Sequence, residues 1–177
     1  QFNNIQKGSI IFYVVKDSNP LPAKAILEET LDYERNNGYL DGTKFEEFSQ
    51  YINNTRDQIS LLKDKINRED STICAYGAAR SGPTLAVQFG LENIISYLID
   101  NHPSKCTKFA PFESLEVKSS KSIKEIKPNY IVVLAWIHTK NIIINNQDYL
   151  NQGGTMVALW PKYKEITIEN YNEWLYE

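Results

Sequence analysis

Hydrophobic and polar positions follow two different rhythms along this chain, and the rhythm changes near residue 71. Before that point the clearest pattern is Phe45, Phe48, Ile52, Thr55, Ile59, Leu62 and Ile66, spaced 3, 4, 3, 4, 3 and 4. That spacing lays one apolar stripe along a helix, predicted over 44–67. Thr43 followed by Glu46 fits a capping box at its start. The rival reading of the stripe is a coiled-coil seam. Only three heptads are present and one seam position is threonine, which favours a helix packed across its own domain. Upstream, residues 23–35 have helical propensity and Asn36-Asn37-Gly38 supplies a stop. Gly8 to Val15 reads as a strand, and Lys16 to Pro22 as a turn-rich connection.

From Ser71 onward short apolar runs alternate with helical patterns. Strands are predicted at 72–76, 94–99, 115–117, 130–134 and 155–159. Helices are predicted at 83–90, 122–126 and 139–150. The tail, with Tyr163, Tyr171, Trp174 and Tyr176, reads as a strand or helix packed on the surface. Apolar strands separated by helices predict an α/β fold, a Rossmann-like doubly wound and mostly parallel sheet. The expected organisation is the end of an upstream domain, left as a residual strand, over 1–20, a helical linker over 21–70 and a Rossmann-like C-terminal domain over 71–177.

Composition narrows the partners. Of the 177 residues, 22 are acidic and 19 basic, for a net charge of −3. That balance argues against a nucleic-acid partner, which needs a basic surface. No apolar run approaches the ~20 residues of a membrane span, so no membrane partner is expected. Cys74 falls in a strand and Cys106 in a loop, without disulfide or metal-ligand spacing, and a reduced cytoplasmic location is expected. The only methionine is Met156, so the chain is expected to be a piece of a larger protein.

The candidate chemistry centres on Gly77-Ala78-Ala79-Arg80-Ser81-Gly82, between the first predicted strand and its helix. The spacing is that of G-x-G-x-x-G with alanine in the middle place. Gly77 permits a tight turn, Ala79 lets a ligand approach the backbone, and Gly82 allows the helix to pack closely on the strand. Free N–H groups at the helix start favour a phosphate or diphosphate, and Arg80 offers a bidentate contact. Asp100, at the end of the second strand, stands where such folds place a ribose-binding acid. It also fits a turn residue in the Asp-Asn-His-Pro loop. Alanine at 79 leaves less room for a dinucleotide than glycine, which argues against an ordinary NAD dehydrogenase. Trp136 and His138 follow a central strand at the sheet edge where ligands bind. The indole suits stacking on a base or sugar, or a place in the core; the imidazole suits a phosphate, or a structural role at a helix start. His102, before Pro103, is the weaker candidate of the two histidines.

Four segments in order carry a resemblance. Ala75 to Leu85, Tyr97 to Lys105, Asn129 to His138 and Leu150 to Pro161 resemble the C-terminal domain of S-adenosylmethionine-dependent sugar C-methyltransferases. Gly8-Ser-Ile-Ile-Phe-Tyr-Val14 is similar to a strand that precedes this domain in the family. The resemblance implies an upstream domain that binds S-adenosylmethionine and carries the catalytic residues, and a zinc-binding domain before it. It implies that this chain holds the diphosphate and nucleoside of a nucleotide-linked sugar, with no catalytic residue and no metal of its own. Residues 77 to 84, Thr84 included, would face the diphosphate, with Asp100 and Asn101 near the ligand and Trp136 at the strand end. The family's basic residue commonly stands one place later than Arg80.

Overall fold

The computed structural model describes residues 2–3, 9–11, 13–14, 16, 24–78, 81–110 and 114–176. The chain divides into two compact units, Gln1–Tyr51 and Ile52–Glu177.

The first unit pairs β1 (Phe2–Asn3) with β2 (Ser9–Ile10), antiparallel. The strand expected over 8–15 is therefore seen as two residues, with Gly8, Phe12 and Val15 outside the described residues. Helix α1 (Lys24–Asn36) ends at the predicted Asn-Asn-Gly stop. Helix α2 (Thr43–Glu69) then begins in this unit and continues into the second. Its start departs from a Thr43–Glu46 box. Glu46 N–H donates to Gly42 O at 3.1 Å, and Asp41 Oδ1 accepts the Thr43 N–H at 3.0 Å. The capping carboxylate comes from two residues upstream of Thr43. That contact holds the Asp41 carboxyl below its ordinary value.

The predicted stripe on α2 divides by burial. Thr55, Ile59, Leu62 and Ile66 are buried, whereas Phe45 is 68% and Phe48 50% exposed.

In the second unit the remaining elements are β3 (Ile73–Tyr76), α3 (Gly82–Gln88), β4 (Leu98–Ile99), β5 (Val117–Lys118), α4 (Ser122–Ile126), β6 (Tyr130–Val133), α5 (Thr139–Asn145), α6 (Gln147–Asn151), β7 (Thr155–Ala158), β8 (Lys164–Ile166) and α7 (Tyr171–Tyr176). The six strands lie in the order β5-β4-β3-β6-β7-β8. All pair in parallel except β8, which runs antiparallel to β7. Counted from the first strand of this unit, the order is 3-2-1-4-5-6, that of a doubly wound dinucleotide-type fold.

Both faces of the sheet are covered. Cys74, Tyr76, Ile99, Ile131, Val133, Met156 and Ala158 pack against Ile123 of α4, Ile142 and Ile143 of α5, Leu150 of α6 and Trp174 of α7. The alternate positions Ile73, Ala75, Leu98, Val132 and Val157 are equally buried and face the other way. The Lys65 ammonium of α2 lies over the Tyr130 ring, 5.2 Å from its centroid, and 3.3 Å from Glu165 of β8. Arg56 Nε donates to Gln88 O of α3 at 2.9 Å. These contacts seat the buried half of α2 on the sheet, where each enclosed Ile or Leu contributes about 2 kcal/mol.

Two predicted elements came out differently. The strand expected over 94–99 is only Leu98–Ile99, because Ile94 and Ile95 N–H groups both return to Leu91 O in a turn. The chain makes its first sheet bond at Ser96, whose N–H donates to Ile73 O at 3.0 Å. The helix expected over 139–150 is divided at Asn146, whose backbone leaves the helical region at φ −123°. The Asn146 side chain donates back to Ile142 O at 2.7 Å, a local bond that competes with helix continuation. The tail supplies both a strand and a helix, and Trp174 is buried.

Candidate ligand crevice at the switch point

In an open sheet of this order the ligand crevice lies past the carboxyl ends of the two strands where the winding reverses. Here those strands are β3 and β6. Their outgoing segments, Gly77-Ala78 and Leu134 to His138, lie side by side.

Gly77 takes φ +116°, and a Cβ built on it would fall 2.6 Å from Ala135 Cβ and 2.7 Å from Ala135 N. Only glycine fits, both for its backbone angle and for the space. Gly82 is the first residue of α3, and a Cβ there would meet Gly77 O at 2.7 Å. The two end glycines of the motif thus let strand, turn and helix close on one another, as their spacing predicts. The middle of the motif, Ala79 and Arg80, lies outside the described residues. Ser81 precedes α3 in a helical conformation without a side-chain cap, and its carbonyl accepts Leu85 N–H. Thr84 is exposed on α3. Because α3 has only seven residues, an anion at this turn would depend on individual N–H groups more than on a long helix dipole.

Asp100 is buried and serves as the hub of the neighbouring loop. Its Oδ2 accepts the Ala78 N–H at 3.1 Å and the Lys105 ammonium at 2.9 Å, and its Oδ1 accepts the His102 N–H at 2.8 Å. Burial pushes its carboxyl up, but Lys105 and the two N–H groups outweigh that and hold it below the ordinary value. Asp100 is therefore a charged brace that ties the turn after β3 to the loop after β4. Asn101, the next residue in that loop, is exposed. Burial raises the Tyr76 phenol, with the Asn146, Asn101 and Ser120 side chains acting against that rise.

Past β6, Trp136 to His138 form a single 3-10 turn that leads into α5. Trp136 is half-buried, and its indole meets that of Trp160 edge-on, with centroids 6.1 Å apart and planes at 71°. Trp160 follows β7, so the pair bridges the carboxyl ends of adjacent strands. Such contacts are worth about 0.5–1.5 kcal/mol beyond burial. Trp160 and Lys105 were not singled out from the sequence. Trp160 could have been found as a second aromatic just past a strand end, but nothing local marks Lys105 as the partner of Asp100. His138 is exposed, with its N–H bonded to Ala135 O at 2.8 Å. His102 Nδ1 lies 2.7 Å from Ser104 Oγ within its own loop.

The structure therefore gathers Gly77, Ala78, Gly82, Asp100 and Asn101 on one side of the crevice, and Trp136 on the other. Thr84 and His138 stand exposed on the elements that follow. A cavity of about 210 Å³ lies elsewhere, between α4 and α6, lined by Ser120, Lys124, Asn146, Tyr149 and Gln152 among others. It reaches Asn129 and Gly154, at the amino ends of β6 and β7, the opposite edge from the crevice. None of the predicted site residues lines it. Among the described residues, no group of three or more His, Cys, Asp or Glu could hold a metal ion, and no helix is long and apolar enough to cross a membrane.

A six-stranded, mostly parallel doubly wound sheet with a glycine-built turn at its switch point defines a Rossmann-like α/β domain. Residues 4–161 match the C-methyltransferase C-terminal domain family, and the chain belongs to that family. A curated relative, C-methyltransferase NovU of Streptomyces niveus, is 25% identical over 168 residues, 94% of this chain. The chain spans 40% of that relative's length. Among solved structures, UDP-D-quinovosamine 4-dehydrogenase from Vibrio fischeri is similar over 57% of this chain and 97% of that one, with 16% identity and a TM-score of 0.41.

Proposed function

We propose that this chain is the substrate-binding part of an S-adenosylmethionine-dependent C-methyltransferase acting on a keto-sugar nucleotide in the cytoplasm. The observation that carries the reading is the crevice at Gly77 and Ala135, in a chain of the C-methyltransferase C-terminal domain family. In the whole protein, a base removes the proton alpha to the sugar carbonyl, and the resulting enolate carbon forms the new bond to the methyl group. S-adenosylmethionine would supply that methyl as an electrophile, its S–CH3 bond breaking so that the sulfonium sulfur leaves as the neutral thioether. Its site, the catalytic base and a zinc-binding domain are assigned to the part of the protein upstream of this chain.

The residues of this chain bind and orient. The turn from Gly77 through Gly82, with Ala79 and Arg80 in its middle, faces the diphosphate, with Thr84 beside it. Asp100 braces that turn through Ala78 and leaves Asn101 beside the nucleoside. Trp136, steadied by Trp160, offers an indole to the base or sugar, and His138 lies on the same edge. With no catalytic group of its own, the chain by itself transfers no methyl group.

Calorimetry with a panel of nucleoside diphosphate sugars, NAD and NADP tests the binding. Sugar nucleotides are expected to bind, with affinity lost when Gly77 is replaced. Binding of NAD or NADP without sugar nucleotides would overturn the reading in favour of an oxidoreductase module. Methyl transfer from labelled donor by the isolated chain would overturn its assignment as a binding part only.

A further inference from the structure

The first unit carries large apolar side chains for which its described residues form no buried core. Among its described residues none is buried. Ile26 and Tyr33 of α1 are each 60% exposed, Leu27 54%, Leu40 in the following turn 58%, and Phe45 at the start of α2 68%. Scattered apolar side chains on a surface need no explanation, but a segment in which most large apolar residues are exposed and none of the described ones is buried gains little to offset the entropy of ordering it. Such surfaces mark contacts with another folded body. The contrast along α2 makes the point within one helix. From Thr55 the stripe is enclosed by the protein's own sheet, whereas Phe45, two turns or more ahead of it, is 68% exposed.

We infer that the exposed apolar face of residues 26–48 is a docking surface for the preceding part of the same protein. Two observations select that occupant. The matched family is a C-terminal domain, and the match begins at residue 4, so this segment belongs to the domain itself. The chain also spans only 40% of its curated relative, which leaves most of a protein of that length to supply a cover. A partner of that kind is covalently joined to this chain, so docking costs little in lost translational freedom. The inference rests on the reading of the chain as the C-terminal part of a longer C-methyltransferase.

Hydrogen exchange of the isolated chain and of the full-length protein tests it. Amides of α1 and of the first turns of α2 are expected to exchange freely in the isolated chain. In the full-length protein they should be slowed about 100-fold or more. Leu40→Asp and Phe45→Asp should each remove that protection in the full-length protein, while Ile168→Asp, an exposed residue of the second unit, should not. Equal exchange in both forms would overturn the inference. So would protection already present in the dilute isolated chain, or protection that rises with its concentration, which would make a second copy the cover. Methyl transfer by the full-length protein is scored separately. Transfer without protection sinks the docking surface alone, and protection without transfer sinks only the methyltransferase reading.

Discussion

Gly77 and Ala135 come together so closely that a single added carbon on Gly77 would lie 2.6 Å from the Ala135 side chain. The two residues leave adjacent parallel strands and belong to segments more than fifty residues apart. Their contact closes the floor of the crevice and fixes how near the turn after β3 stands to the 3-10 turn that carries Trp136.

Gly77→Ala should therefore be costly in two ways, backbone angle and overlap, at about 2–4 kcal/mol in total. Gly153→Ala is the informative companion. It shares a positive φ of 87° but meets nothing within 4 Å, so it should cost only about 1 kcal/mol. Urea unfolding of both variants reads the difference. Equal losses would show that overlap with Ala135 contributes nothing.

Asp100→Asn should loosen the loop that the carboxylate braces. One amide end would face donors that now share Oδ2, Ala78 N–H and the Lys105 ammonium, at a cost of about 1–2 kcal/mol. The pH dependence follows the same contact. A folded carboxyl held below its unfolded value of about 3.9 contributes stability that is present above that value and lost as pH falls through the folded one. Wild-type protein should thus show a steeper acid loss below about pH 4 than the variant. Parallel acid profiles would contradict the brace.

Leu62→Ala and Phe45→Ala test the division of the α2 stripe. Leu62 is enclosed at 1% exposure, and its truncation should cost about 2–4 kcal/mol. In this chain alone, Phe45→Ala should change stability by less than about 0.5 kcal/mol. Chemical denaturation of the two variants separates a seam packed along its whole length from one packed only past Ile52.

The two thiols should differ sharply. Burial pushes the Cys74 thiol up to about 12, so almost no thiolate exists at pH 8 and the reagent has no path to it. Cys106 is partly exposed and should react first with an aromatic disulfide reagent. One thiol released from the native chain and the second only on unfolding is the expected result; two released together would mean that the sheet opens readily at β3.

Trp136→Ala should weaken sugar-nucleotide binding about tenfold, the loss of one stacked ring. Trp160→Ala should weaken it less, acting through the position of Trp136, and should lower stability by about 1 kcal/mol. Calorimetry and melting of the two variants check this. Unchanged binding in Trp136→Ala would remove the indole from the site.

Most of the second unit was legible in the residues, because its signals are local. Continuous apolar runs such as Tyr130 to Leu134 mark strands enclosed on both faces. Gly77 and Gly82 stand at the two ends of a turn whose spacing already requires close packing. Asp100 was legible as an acid at a strand end, but not as a brace. Its use depends on Lys105 and on Ala78, brought to it by the loop and by the pairing of β4 with β3.

The sequence by itself determined the α/β class, the place of the glycine turn and the helical period of the 45–66 stripe, since each follows from side-chain spacing and backbone freedom within a few residues. Tertiary structure alone decided the strand order, the meeting of Gly77 with Ala135 and of Trp136 with Trp160, and the point on α2 where enclosure begins. Those depend on which segments lie against one another, and no local pattern carries that information.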